Sequence, residues 1–145
     1  MDGKLYLKSL VIMNRGITER NLELARLRSS LTGSSGGDGV KVASSKSYDR
    51  MERTIAEIIQ LEKIIDDDID LFRERKDFAE RIILDIPNEL YQDILFARYF
   101  ECLGCRKVME RLHLDEDAKR KYFKWQNKAL IEFNRRFKNL YVEKT

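Results

Sequence analysis

Leu10, Ile17, Leu24 and Leu31 recur every seven residues, with Leu7, Met13 and Leu27 beside them. That spacing predicts a helix from about Leu5 to Leu31 with one apolar stripe. Gly16 lies inside it, where glycine costs about 1 kcal/mol relative to alanine. A second stripe, Met51, Ile55, Ile58, Ile65, Ile69, Phe72, Ala79 and Ile83, predicts a helix from about Tyr48 to Leu84, with Glu62 and Lys76 breaking the pattern. At its expected length it would span roughly 55–60 Å. It should pair with the first helix as an antiparallel hairpin or coiled coil. Ile59, Leu61, Ile64 and Ile82 widen the stripe, so a further packing partner is expected, either the C-terminal domain or another subunit.

Between these helices, Thr32 to Ser47 holds four of the seven glycines and five serines. It reads as a flexible connector with too little apolar surface to order itself, although Val40 and Val42 offer two side chains for docking. Pro87, the one proline, marks the end of the long helix near Ile86, because the residue before proline avoids the helical region. Leu90, Tyr91, Ile94, Leu95, Ala97 and Phe100 then place a helix within Asn88–Phe100. Gly104 breaks it. Cys105 to Leu112 predicts a short helix with Val108, Met109 and Leu112 inward. His113 to Asp117 forms a turn in which Asp115 or Asp117 can cap the helix that follows. The last helix runs from about Ala118 to Tyr141.

That last helix changes the picture. Lys119 to Lys138 contains eight basic residues and one acidic residue, Glu132. Tyr122, Phe123, Trp125, Ala129, Leu130, Phe133 and Phe137 run between the charges at helical spacing, and Trp125 is expected to anchor the core there. The helix can therefore bury one face and present the other to phosphates. The net charge of +3 is unevenly spread. Residues 1–86 carry 15 basic and 16 acidic side chains, whereas residues 87–145 carry 13 and 9. Basic charge gathered at one end is the footprint of a polyanion site. The competing view is a solvated amphipathic helix capping a bundle, and the acidic Asp115, Glu116 and Asp117 favour it.

Other chemistry is thinly represented. No apolar run reaches the ~18 residues of a membrane span, and the first residues lack the apolar core of a signal peptide. Two cysteines without a secretory signal suit a reducing cytoplasm. Cys102-Leu103-Gly104-Cys105 has the outline of a zinc or redox pair, but zinc needs four ligands and His113 is the single histidine. Two small buried residues at a helix corner are the expected alternative. Asp66, Asp67, Asp68 and Asp70 point in different directions around a helix and form no cation cage. With no nucleophile triad, phosphate loop or spaced carboxylate pair, neither a catalytic site nor a cofactor is expected.

Leu90 to Leu130 resembles the fourth region of sigma factors, and more closely the small sigma-like regulators of Gram-positive phages, the ArpU type among them. Ile94-Leu95-Phe96-Ala97-Arg98-Tyr99-Phe100 matches the helix before the motif. Val108-Met109-Glu110-Arg111-Leu112-His113-Leu114 matches its first helix and turn, and Tyr122 to Leu130 its second helix. The chain has Cys105-Arg106-Lys107-Val108-Met109 where the family often carries Trp-x-x-Ile-Ala, and its turn is about three residues longer. The resemblance implies a helix-turn-helix that binds DNA in the control of late phage transcription.

The combined expectation is an all-α protein with residues 1–86 as a helical hairpin and residues 87–145 as a helix-turn-helix domain. Lys119, Lys121, Lys124 and Lys128 would clamp the phosphates of double-stranded DNA, and Arg120, Gln126 and Asn127 would meet base edges. The hairpin would form a homodimer or contact RNA polymerase, in the cytoplasm of a bacterial host. The rivals are a small subunit of a phage DNA-packaging machine and a protein-binding inhibitor of a host factor.

Overall fold

The computed structural model describes residues 2–32 and 45–144, and all regular structure among them is helical. Helix α1 covers Gly3–Thr32 and α2 covers Ser45–Leu84. Helix α3, Glu89–Leu95, passes directly into a π-helical turn, Phe96–Phe100. Helix α4 is Cys105–Arg111, and a single 3-10 turn, Glu116–Ala118, leads into α5, Lys119–Lys144. Most of the expected connector, with Val40 and Val42, lies outside the described residues, although Thr32 and residues 45–47 are helical.

The chain forms two compact units, Met1–Met13 with Phe72–Thr145, and Asn14–Leu71. The sequence placed the division at Pro87. It falls elsewhere because the N-terminal end of α1 and the C-terminal end of α2 belong to the same core as α5. Tyr6, Leu7, Leu10, Ala79, Ile82, Ile83 and Ile86 cluster with Leu95, Tyr99, Leu130, Phe133 and Phe137. Helix α2 stops at Leu84, where the apolar stripe placed its end, three residues before Pro87. The Gln92 amide donates to the carbonyl of Ile86 at 2.6 Å, and Asn88 caps α3 by accepting from the backbone N–H groups of Leu90 and Tyr91.

Helix α1 approaches α5 backbone to backbone, and a glycine makes this possible. The Gly3 N–H donates to Asn134 Oδ1 at 2.7 Å. A Cβ on Gly3 would lie 2.8 Å from Phe133 Cδ1 and 3.0 Å from Asn134 Cα. A Cβ on Gly16 would meet nothing within 4 Å. Gly3→Ala should therefore lower stability by about 1–3 kcal/mol through overpacking. Gly16→Ala should raise it by about 0.5–1 kcal/mol, because helix propensity improves at no steric cost. Urea titrations of the two variants test this, and shifts of the same sign would contradict the packing at Gly3.

The unit Asn14–Leu71 is an antiparallel helix pair. Leu24, Ile58 and Ile65 are its buried side chains, with Leu27, Leu31, Leu61 and Ile69 partly buried around them. Arg28 pairs with Glu62 at 2.6 Å and Arg20 pairs with Asp68. Glu62 interrupts the α2 stripe because it serves this cross-helix pair. Met51 and Ile55, expected inside, are 48% and 43% exposed.

Candidate nucleic-acid interface

A second cluster builds the platform for the candidate site. Ile94, Ala97, Val108, Met109 and Tyr122 are buried together, with Leu90, Leu103, Leu112, Leu114 and Trp125 partly buried against them. Helix α3 with its π turn, helix α4 and the start of α5 therefore share one core. Arg98 fixes the loop between the π turn and α4 by donating to the carbonyl of Leu103 at 2.8 Å. Cys102 holds the left-handed conformation in that loop, with φ of 58°. It is exposed and Cys105 is partly exposed, so the expected pair of buried cysteines does not occur. Among the described residues, no group of three His, Cys, Asp or Glu side chains is placed to hold a metal ion.

Helix α4 ends in a defined reversal. The His113 N–H donates to the carbonyl of Glu110 and the Leu114 N–H to that of Met109, while His113 sits at φ of 59°. These are the paired bonds of a Schellman motif, with histidine where glycine is usual. Leu114 packs on the cluster that holds Met109, as that motif favours. Asp115 precedes the 3-10 turn but makes no side-chain capping bond there. The sequence expected it, or Asp117, to cap the last helix. The intervening 3-10 turn instead uses the Ala118 N–H, which donates to the carbonyl of Asp115.

Helix α5 then divides into two faces. Tyr122, Ala129, Leu130, Phe133 and Phe137 are buried, whereas Lys119, Arg120, Lys121, Lys124, Asn127 and Lys128 are exposed. Arg120, Lys124 and Lys128 are four residues apart and share one face. Steps of three and four continue the row through Ile131, Arg135 and Lys138, all exposed. Those three lie beyond the expected site residues, although the three- and four-residue steps from Lys128 point to them. Ile131 is an apolar side chain, 66% exposed, set in the basic row. Arg135 is tied to Glu132 at 2.8 Å. Hydrogen bonding from Arg136 holds the Glu132 carboxyl below its ordinary value.

Three candidates sit differently from the rest. Gln126 is partly buried, and its Oε1 accepts from the Tyr122 hydroxyl at 2.8 Å and from the Cys105 thiol at 3.6 Å. It satisfies a buried phenol instead of facing outward. Lys121 lies over the Trp125 ring, 5.0 Å from its centroid. Trp125 is half-buried at the edge of the cluster, so it is a rim residue and not the expected core anchor. Lys119 lines a cleft of about 680 Å³ with Glu110, Glu116 and Asp117. Acidic side chains therefore flank the first turn of α5, and cations dominate from Arg120 onward.

No described helix is long and apolar enough to cross a membrane. No protein-family model, curated protein or solved structure matches the chain.

Proposed function

We propose that the chain binds double-stranded DNA through α4, the turn after it and α5, as a sequence-specific transcriptional regulator of phage or prophage origin. One observation carries this: Arg120, Lys124, Asn127 and Lys128 form an exposed basic face on a helix whose opposite face is locked into a core shared with α3 and α4. A rigid helix with long cationic side chains on one side fits a groove lined with phosphates. Lys124 and Lys128 are assigned to phosphates, and Arg120 and Asn127 to base edges. Gln126 is assigned to the support of Tyr122. The resemblance to sigma-like phage proteins extends the proposal to late transcription, with RNA polymerase as a second partner in the bacterial cytoplasm.

The cleft formed by Glu110, Glu116 and Asp117 beside Lys119 favours a second reading, in which α5 meets a protein surface. Binding measured against salt separates the two. DNA binding should weaken with a log–log slope of roughly −0.9 per phosphate contact. Lys124→Ala should weaken binding to all sequences alike and flatten that slope by about one unit. Asn127→Ala should relax preference at one base pair, by about 1–3 kcal/mol of discrimination. Random and promoter duplexes titrated at low salt provide the test. Dissociation constants no better than about millimolar for both, weaker than ordinary non-specific binding, would overturn the DNA proposal in favour of the protein partner.

A further inference from the structure

Within the unit Asn14–Leu71, α2 is longer than the helix it packs on. The ion pairs Arg28–Glu62 and Arg20–Asp68 fix the antiparallel register. Extended one turn, that register sets Leu31 beside Ile58. Helix α1 ends at Thr32 and α2 begins at Ser45. The first three turns of α2, about 18 Å at 1.5 Å per residue, therefore have no described residue opposite them. The apolar stripe does not stop there. Tyr48, Met51, Ile55 and Ile59 continue it at steps of three and four residues, and they are 59%, 48%, 43% and 62% exposed. Together with Glu52 and Ala56 they line an open groove of about 500 Å³.

We infer that this overhang is a self-association surface and that its occupant is the same overhang from a second copy. A helical stripe is filled by side chains that repeat at helical spacing. The chain between Thr32 and Ser45 has two large apolar residues, Val40 and Val42, set among glycines and serines, which cannot supply that repeat. The overhang itself does supply it. Two copies related by a two-fold axis near Met51 lay one stripe antiparallel against the other: Met51 meets Met51 on the axis, and Tyr48 of each copy meets Ile55 of the other, a closed, isologous contact. The contact is small beside a standard interface of roughly 800 Å² per partner, and it gives a dimer that dissociates on dilution. This inference does not depend on the DNA-binding proposal.

Sedimentation velocity on the full chain from low micromolar to several hundred micromolar provides the test, with circular dichroism reporting helix content. The native chain should pass from monomer to dimer across that range. Met51→Lys combined with Ile55→Lys should raise the dissociation constant by at least about tenfold. Both positions are exposed in the single chain, so helix content and melting temperature at low concentration should not change. Val40→Ser with Val42→Ser should leave the dimer intact. A native chain that stays monomeric at every concentration would overturn the inference. So would a dimer that survives the lysine pair, or one that is lost with the two serines.

Discussion

Phe137→Ala should lower the unfolding free energy by roughly 3–5 kcal/mol. Phe137 is fully buried, and its ring lies 5.0 Å from that of Tyr6, 6.2 Å from Phe78, 6.0 Å from Phe133 and 5.0 Å from Tyr141. Those partners come from α1, α2 and α5, so the ring joins three helices that are distant in sequence. Removing it leaves a cavity that the surrounding aromatic rings cannot close without tilting. Typical domains have about 5–15 kcal/mol of stability in all, and the loss should be visible as a fall of roughly 10 °C or more in melting temperature. Ile131→Ala, at an exposed site on the same helix, should change stability by less than about 0.5 kcal/mol. Equal effects at the two sites would show that the aromatic cluster does not hold this unit together.

Alkali should unfold the chain through its buried tyrosines. Burial pushes the Tyr6 hydroxyl up to about 12, with neighbouring Arg75 opposing the shift, and the hydroxyl donates to the carbonyl of Arg75 at 3.0 Å. Burial also raises Tyr99 and Tyr122. An unfolded tyrosine loses its proton near pH 10. Above that pH the unfolded chain holds fewer protons than the folded one, so rising pH favours unfolding. The contribution of Tyr6 is complete below about pH 10 and is lost as pH climbs to about 12. Its size is of order 2–3 kcal/mol, from about 1.4 kcal/mol per unit of displacement. Urea unfolding at steps from pH 8 to pH 12 should show this decline, and Tyr6→Phe should make it shallower. A decline identical in both proteins would assign it to other groups.

The helices were legible in the sequence because apolar spacing is a local property. Leu10, Leu24, Ile58, Ile65, Ile83 and Phe133 each lie on the face their periodicity implied, and all are buried. Where the compact units divide was not legible. The stripes of α1 and α2 are continuous along their length, and nothing local says which stretch meets α5 and which meets only its antiparallel neighbour. The exposure of Met51 and Ile55 follows from the unequal lengths of two helices, so the α2 stripe alone could not reveal it. Within the candidate site, the exposed cations followed from helical spacing. Gln126 did not, because it stands at the border between the two faces. The available signal was Tyr122 four residues earlier, since a buried phenol needs an acceptor and a residue one turn on can supply it.

The hydrogen bond from Gly3 to Asn134 spans 131 residues, and Leu7 and Leu10 share a core with Phe133 and Phe137. During synthesis the first turns of α1 emerge more than a hundred residues before the segment they pack on. At roughly 5–20 residues per second, that leaves several seconds in which Tyr6, Leu7 and Leu10 are made but cannot be buried. The nascent α1–α2 pair can form early, yet Ile82, Ile83 and Ile86 stay uncovered until α5 arrives. A transcript cut short before α5 therefore yields a chain with an exposed oily end, a substrate for chaperones and proteases, and residues 87–145 expressed alone would lack the α1 and α2 side chains that cover Phe133 and Phe137.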